Sequence, residues 1–297
     1  MLYFQPHLRR CRRHRRIMQR SSSQYYDDTN GVPLEAGRTH HVGVAKGEVA
    51  NRVVLVGSSS RAAKLVALLD GGRAPFSLKS HRGFETYTGA FQGAPASVVA
   101  TGMGGPMMDF AVRELRHVID GPLMLVRLGS CGGLSPEAVP GVVVANTQGS
   151  VRIARNFDFD AVFEEDRDQN YVISDRVAKP DASLARRLAD ELSKECDVVE
   201  GLNASADSFY DAQGRVDPNF RDGNGGVLAR LRALDVASVE MESFYLLHLA
   251  AHGADIRAAT CAIVAANRET GEVVEKAAFE AAESQAGRAV LRALVCT

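Results

Sequence analysis

Residues 52–69 read RVVLVGSSSRAAKLVALL and contain a strand pattern, a glycine turn and a helix pattern in that order. The mostly apolar, β-branched RVVLV is typical of a strand buried on both faces, and RAAKLVALL has the spacing of an amphipathic helix. The same order recurs at residues 96–115 as ASVVA, TGMGGP and MMDFAVREL, and LMLVRL leads into GSCGG at residues 123–133. Strands that alternate with helices predict an α/β fold whose sheet is at least partly parallel.

The rest of the chain continues this pattern. Further strand patterns are GVVVAN, DVVEGLNAS and IRAATCAIVAA, at residues 141–146, 197–205 and 256–266, and a closing helix is predicted from about Glu275 to Val295. Neither an internal repeat nor a convincing linker divides the sequence, so we expect a single domain.

The composition narrows the class of protein and its partners. The chain has 297 residues, of which 45% are hydrophobic and 24% charged, as in ordinary soluble globular proteins. Its formal net charge of −1 gives no reason to expect a nucleic-acid or membrane partner, and no apolar run reaches the length of a membrane span. The five cysteines form no CxxC pair and no cluster with histidine, which favours a reduced intracellular protein.

The first 25 residues differ from the rest, because they contain seven arginines, three serines and no acidic residue. This bias is typical of an organelle transit peptide, but a disordered extension explains it equally well, and LYFQ resembles the remnant of a protease site used in recombinant expression. We therefore separate residues 1–38, as an extension of one of these kinds, from a domain spanning residues 39–297. The expected location is cytoplasmic, with organelle targeting as the alternative that the arginine-rich start leaves open.

Two glycine turns carry groups that suit a phosphate. Ligands of α/β sheets bind beyond the carboxyl ends of the strands, and there the turn from Gly57 offers helix-start amides and the Arg61 guanidinium. A helix N-cap followed by a surface arginine explains the same sequence segment equally simply. In VRLGSCGG, the charge of Arg127 inside an apolar strand requires an anionic partner, which is either a bound phosphate, with Ser130 as a second donor, or an internal carboxylate.

A third arginine lies in KSHRGFETY, residues 79–87, where we expect His81 and Arg82 to lie in a loop. A solvated surface pair is the simpler explanation for these two side chains. Three arginines in turns that are distant in sequence could nonetheless form a phosphate clamp.

Two glutamates, Glu240 and Glu242, precede an apolar run in SVEMESFYLLHLAA, residues 238–251. Residues two apart share a side only in extended backbone, so Glu240 and Glu242 serve one site only if a strand ends near Glu240 and a helix follows. Carboxylates at such a junction either cap the helix or accept hydrogen bonds from a ligand with adjacent hydroxyls.

Together these motifs resemble the nucleoside phosphorylases of the uridine phosphorylase type. The matching segments run in order from about Thr39 to the C-terminal helix and are THHVGV, the glycine and arginine of GSSSR, SHRGF, TGMGGP, VRLGSCGG, DSFYDAQGR and VEMES. The resemblance implies a nucleoside phosphorylase fold, with a mixed central β-sheet flanked by helices. It also implies reversible phosphorolysis of uridine to uracil and ribose 1-phosphate.

The resemblance further implies a role for each matching residue. The uracil-binding residues would be Phe209, Gln213, Arg215 and Arg268. The phosphate-binding residues would be Gly57, Arg61, Arg127, Ser130 and, from a neighbouring subunit, Arg82. The ribose-binding residues would be Met241 and Glu242, supported by Glu240, with His41 reaching the 5′-hydroxyl from across the subunit interface. The catalytic residues would be Arg127, Gln213 and Arg215.

Partners follow from the same resemblance. Inorganic phosphate would be a co-substrate, no cofactor would be required, and shared sites would require at least a homodimer. Bacterial relatives have aspartate and proline where this chain has Ser58 and Ser59, and a glutamate used for an interface monovalent ion where it has Gly83. A potassium site is therefore not carried over, and no ligand set predicts the interface metal of some family members.

Three alternatives remain open at this point. A purine nucleoside phosphorylase would have an aspartate near the end of CAIVAAN, where this chain has Asn267 and Arg268. A nucleosidase would use water and have little need of three arginines. A non-catalytic nucleotide-binding α/β protein would bind without turnover.

Overall fold

The chain alternates strands and helices over residues 30–156 and 170–295, which the computed structural model describes. The strands are β1 (Leu34–Glu35), β2 (Arg38–Thr39), β3 (Arg52–Val56), β4 (Phe76–Lys79), β5 (Glu85–Phe91), β6 (Ala94–Ala100), β7 (Leu123–Gly133), β8 (Val143–Arg155), β9 (Tyr171–Ile173), β10 (Val198–Ala206), β11 (Val236–Glu240) and β12 (Ile256–Asn267). The helices are α1 (Ser59–Val66), α2 (Gly105–Val118), α3 (Ala182–Leu192), α4 (Val227–Arg232), α5 (Ser243–His252) and α6 (Lys276–Val295), with 3-10 turns at Asp70–Gly72 and Asp211–Gln213.

One mixed sheet contains β3 to β12, and β1 pairs with β2 in a separate hairpin. The order along the sheet is β11, β10, β8, β12, β7, β3, β6, β5, β4, with β9 on β8. Strands β6, β3, β7 and β12 are parallel neighbours, whereas β8 is antiparallel to β12. Because β11 also pairs with β7, placing Ser238 opposite Gly133, strands β7, β12, β8, β10 and β11 close into a ring. The predicted fold class, a mixed central sheet flanked by helices, is confirmed.

Helices cover both faces of the sheet because strand side chains alternate between the faces. In β3, Val54 and Val56 pack in the core that contains residues of α1, α3 and α6, whereas Val53 and Leu55 pack in the core that contains residues of α2 and α5. All four are fully buried, which explains why RVVLV shows no polar alternation. Among residues 30–156 and 170–295, no helix combines the length and the apolar character that crossing a membrane requires.

The glycines of TGMGGP allow helices α2 and α5 to approach each other closely. A Cβ atom on Gly105, the first residue of α2, would lie 2.6 Å from Cζ of Tyr245 in α5. Any larger residue would displace the tyrosine ring, so this turn requires glycine for packing. Pro106 follows at the start of the helix, where its missing N–H costs no hydrogen bond.

His81 and Arg82 lie in the connection between β4 and β5, as predicted, although the ends of KSHRGFETY belong to those two antiparallel strands. The boundary predicted after residue 38 falls inside the β1–β2 hairpin. Residues 1–29, which include most of the arginine-rich start, lie outside the described residues.

Candidate active site

A cavity of about 280 Å³ lies where the carboxyl ends of several strands meet. Gly57 follows β3, Ser130 lies near the end of β7, and Glu240 ends β11. The lining residues are Gly57, Ser58, Arg61, Met103, Arg127, Ser130, Cys131, Gly132, Phe209, Gln213, Arg215, Val239, Glu240, Met241, Glu242, Ala265, Ala266 and Arg268. Every residue predicted for the site except His41 and Arg82 is in this set, so the fold brings together groups from five strand ends.

Arg127 is buried in the cavity wall and pairs with Glu242, whose carboxylate accepts a hydrogen bond from Nη2. The internal carboxylate expected as one alternative is therefore present. The Nε and Nη1 atoms of Arg127 are also buried, and neither has a hydrogen-bond partner among the described residues. Unpaired buried donors are costly, so these atoms are suited to an anion that enters the cavity.

The first glycine turn builds the neighbouring wall. Ser58 is the N-cap of α1, and its hydroxyl accepts a hydrogen bond from the backbone N–H of Arg61 at 3.3 Å. The Arg61 side chain is buried rather than on the surface, because its Nε donates to Glu283 at 2.8 Å and its Nη1 donates to the Leu128 carbonyl at 3.2 Å. Glu283 belongs to α6, and nothing in the local sequence pattern indicated this contact.

Glu240 lies at the strand–helix junction that its spacing predicted, as the last residue of β11. Its carboxylate accepts hydrogen bonds from the backbone N–H groups of Glu242 and Ser243 at 2.9 and 3.0 Å, and so caps α5. The side chains of Asn203 and Ser205 also donate to it. Burial raises the pKa of Glu240, and the nearby charge of Glu242 raises it further. Glu240 therefore supports the junction, as the helix-cap alternative expected.

Glu242 occupies the N-cap position of α5. One carboxylate oxygen accepts from Arg127, and the other accepts from the backbone N–H of Gly104 in the TGMGGP turn. Each ionised carboxylate oxygen can accept more than one hydrogen bond. Because Glu242 lines the cavity, its oxygens remain available to the hydroxyls of a sugar.

A further part of the cavity wall is formed by the segment after β10 and by the end of β12. Gln213 is buried at the end of a 3-10 turn, and Arg215 donates from Nε to the Phe209 carbonyl at 3.1 Å. The guanidinium carbon of Arg215 lies 4.0 Å from the centroid of the Phe209 ring, a cation–π contact. Phe209 is 46% exposed whereas Gln213 is only 3% exposed, so this wall combines an open aromatic side chain with a buried amide and a half-buried guanidinium.

The position of the Arg268 side chain depends on the absence of a side chain at the neighbouring Gly132. A Cβ atom on Gly132 would lie 2.8 Å from Cγ of Arg268, so a larger residue in β7 would displace this side chain. Burial lowers the pKa of Arg215 and of Arg268, and the repulsion between the two guanidinium groups lowers the pKa of Arg268 further. Within the described residues neither forms an ion pair, and Arg268 Nη1 is buried without a partner. This wall is therefore suited to oxygen atoms that carry negative charge.

Asn267 serves the loop after β12. Its amide nitrogen donates to the carbonyls of Ser135 and Ala138 at 3.1 and 3.2 Å. Its oxygen accepts from the backbone N–H groups of Glu269 and Thr270. All four contacts are to backbone, so Asn267 fixes the loop that carries Arg268.

Met103 and Cys131 also line the cavity but were not predicted. Met103 is 74% exposed and lies within the TGMGGP turn, whose position after a strand is the sequence feature that could have identified it. Cys131 is buried, and burial raises the pKa of its thiol well above the usual range. It therefore stays protonated and does not provide a nucleophile. No cluster of three histidine, cysteine or acidic side chains suited to a metal occurs in the described ranges.

His41 and Arg82 are the two predicted residues that the structure leaves outside the cavity of their own chain. The ring of His41 stacks on Phe110, with centroids 4.0 Å apart, and its Nδ1 lies 2.6 Å from a carboxylate oxygen of the buried Glu114. Arg82 is exposed in the β4–β5 connection. Their predicted action on a neighbouring subunit's site stays a prediction.

Comparisons with known proteins agree on one family. Residues 51–295 match the model of the phosphorylase superfamily. The chain is 33% identical to the uridine phosphorylase of Thermococcus kodakarensis, with 84% of each chain covered. It is 30% identical to that of Klebsiella aerogenes, over 85% of this chain and 95% of the relative. A solved chain from a study of two diverse uridine phosphorylases in the oomycete Phytophthora capsici superposes with a TM-score of 0.85 at 42% identity, covering 92% of this chain and 99% of that one.

Proposed function

The chain belongs to the phosphorylase superfamily, and we propose that it is a pentosyltransferase that catalyses the reversible phosphorolysis of uridine to uracil and ribose 1-phosphate. The observation that carries this proposal is the composition of one cavity. Donors for an anion, acceptors for a sugar and a polar wall for a base all line it.

The phosphate set comprises Gly57, Arg61, Arg127 and Ser130. Two guanidinium groups and a helix start suit the fork geometry and charge of inorganic phosphate. Among the described residues, Nε and Nη1 of Arg127 are buried and have no hydrogen-bond partner. These two donors support the assignment of Arg127 to the binding of phosphate, the nucleophile. Their role would be to hold a phosphate oxygen in line with C1′ of the ribose.

The ribose set comprises Glu242 and the backbone of Met241, with Glu240 behind them. A carboxylate accepts hydrogen bonds only, so it matches a diol, which can donate two. The ion pair with Arg127 fixes the Glu242 carboxylate beside the phosphate set. The sugar and the nucleophile would therefore be aligned by one contact.

The base set comprises Phe209, Gln213, Arg215 and Arg268. Uracil presents two carbonyl acceptors and an N3 donor, which an amide and guanidinium groups can match together. As phosphate bonds to C1′ and the bond to N1 breaks, the bonding electron pair leaves with uracil, whose oxygens become negative. Donors already fixed in a partly buried wall stabilise that charge without reorganisation.

A purine substrate is disfavoured by Asn267. All four of its hydrogen bonds are to loop backbone, and an amide has no acidic proton for a departing purine. Inorganic phosphate would be a co-substrate, with no cofactor required. A homodimer or larger assembly in the cytoplasm remains our expectation, supported by the location of His41 and Arg82 away from the cavity of their own chain.

Uridine cleavage measured by ultraviolet absorbance tests the proposal, with and without inorganic phosphate and with inosine in parallel. We expect phosphate-dependent loss of uridine and no loss of inosine. Cleavage of uridine without phosphate would instead identify a nucleosidase, and cleavage of inosine alone would identify a purine enzyme. Binding of uridine without cleavage of either nucleoside would identify a binding protein.

A further inference from the structure

Glu283 connects the C-terminal helix to the first glycine turn. One carboxylate oxygen of Glu283 accepts a hydrogen bond from Arg61 Nε at 2.8 Å, and the other accepts one from Lys64 Nζ at 2.5 Å. The side chains of Arg61 and Glu283 are each 7% exposed, whereas that of Lys64 is 35% exposed. Glu283 therefore lies between one cation that faces the cavity and another that faces solvent.

These contacts fix the orientation of the Arg61 guanidinium. A guanidinium group is planar, so two anchoring hydrogen bonds, from Nε to Glu283 and from Nη1 to the Leu128 carbonyl, determine the direction of the whole group. Neither anchor uses Nη2. Because Arg61 lines the cavity beside Gly57 and Ser58, the remaining donors are available to a ligand there.

The charge balance of the cluster also favours an anion. Burial alone would raise the pKa of Glu283, but hydrogen bonds from Lys64 and Arg61 outweigh burial and lower it, so the carboxylate is ionised at neutral pH. A carboxylate paired with Arg61 alone would cancel the arginine's charge. Lys64 offsets the charge of Glu283 instead, which leaves the positive charge of Arg61 for the cavity.

We propose that Glu283, with Lys64 on its second oxygen, is a positioning residue that holds the Arg61 guanidinium in the orientation that binds phosphate. The proposal rests on the phosphate set described under the proposed function. Glu283 itself does not line the cavity. Its effect on phosphate must therefore pass through Arg61.

Titration calorimetry with inorganic phosphate on the full chain tests this directly. We expect Glu283→Gln to weaken phosphate binding by about 10-fold or more, as the loss of a charge-assisted hydrogen bond predicts. The matched control is Glu195→Gln, because Glu195 also receives arginine hydrogen bonds from α6 but lies away from the cavity. The control should bind phosphate as the unaltered chain does. Equal phosphate affinity in Glu283→Gln and the unaltered chain, or equal losses in both variants, would overturn the proposal.

Adding Glu283→Gln to Arg61→Gln separates positioning from simple support of the fold. If Glu283 acts through Arg61, the second substitution adds no further loss of phosphate affinity in the Arg61→Gln background. Additive losses would show that Glu283 acts by another route. In turnover assays, the KM for phosphate should rise while the KM for uridine stays within about twofold, a split that general destabilisation does not produce.

Lys64→Gln provides an independent test should Glu283→Gln fold poorly. The partly exposed Lys64 is replaceable without a large packing change, and its loss should leave Glu283 to neutralise Arg61, weakening phosphate binding severalfold. Unchanged phosphate affinity in a folded Lys64→Gln chain would contradict the proposal. Uridine turnover by the unaltered chain is recorded in parallel. Its absence would refute the proposed function, while the phosphate titrations would still decide the role of Glu283.

Discussion

Arg127 and Glu242 form a buried ion pair in the cavity wall although 115 residues separate them in the sequence. The arginine belongs to β7 and the glutamate is the N-cap of α5, and the pairing of β11 with β7 brings the two segments together. One partner was predicted for phosphate and the other for ribose. Their contact supports a single site in which the nucleophile and the sugar are positioned by neighbouring groups.

Replacing Glu242 by glutamine should impair both activity and stability. The variant keeps the shape but loses the carboxylate, so we expect kcat/KM for uridine to fall about 10- to 100-fold. The free energy of unfolding should fall by about 3 kcal/mol, because the Arg127 charge stays buried without its partner. Steady-state kinetics and denaturant unfolding measure the two effects. The control is Glu200→Gln, at an exposed position on β10. If Glu242→Gln had the same kinetics and stability as this control, the assignment of Glu242 to the ribose would be contradicted.

Replacing Arg215 by alanine should mainly lower turnover. Removing one donor aimed at developing negative charge should reduce kcat by about 100-fold or more. The Phe209 face would at the same time lose its cation–π partner. Initial rates at saturating uridine and phosphate measure the loss. Arg221→Ala, an exposed arginine in the following segment, should retain normal rates, and near-normal turnover by Arg215→Ala would remove this residue from the mechanism.

Gly132→Ala should affect catalysis more than folding. The new methyl group would meet Cγ of Arg268 at 2.8 Å, and a long side chain moves aside more easily than backbone does. We expect kcat/KM to fall about 10-fold, while the melting temperature changes little. Gly287→Ala in α6 is the control, because its Cβ would lie 3.3 Å or more from the side chains of Leu68 and Leu65, which do not line the cavity. Equal kinetics in the two variants would show that the position of Arg268 is unimportant.

The stability of the fold should decrease as the pH falls below 4.5, because three paired glutamates have folded-state pKa values below that ordinary value. Hydrogen bonds from Lys79 to Glu85, from Arg292 to Glu195 and from Lys64 to Glu283 contribute to pKa values below the ordinary 4.5. A lowered folded-state pKa means that stabilisation is complete above 4.5 and is lost as pH falls below it. Melting temperatures recorded at decreasing pH measure the slope of stability against pH. Glu195→Gln should flatten that slope, and an unchanged slope would show that the pair contributes nothing.

The sequence predicted the parts of the fold that depend on local pattern. β3, α1, β6, α2 and α6 are continuous runs of one periodicity, and the predicted start of α6 at Glu275 differs by one residue from the observed Lys276. β4 and β5 were missed because their residues are half polar and Gly89 interrupts the second strand. Their pairing depends on contacts along the sheet edge, which local pattern does not report.

The site was predictable where it follows strand ends and not where it depends on distant partners. Gly57, Ser130 and Glu240 lie at strand ends, and the sequence showed those ends. Glu283 contacts Arg61 across 222 positions, and Asn203 contacts Glu240 across 37, so no spacing rule connects them. Such supporting groups become visible only once the strands are assembled.

Phosphorus-31 magnetic resonance of a uridine and phosphate mixture tests the central claim most directly. We expect the purified chain to convert inorganic phosphate to ribose 1-phosphate in step with the uracil released. Release of uracil with free ribose and an unchanged phosphate signal would contradict phosphorolysis, because water would then be the nucleophile.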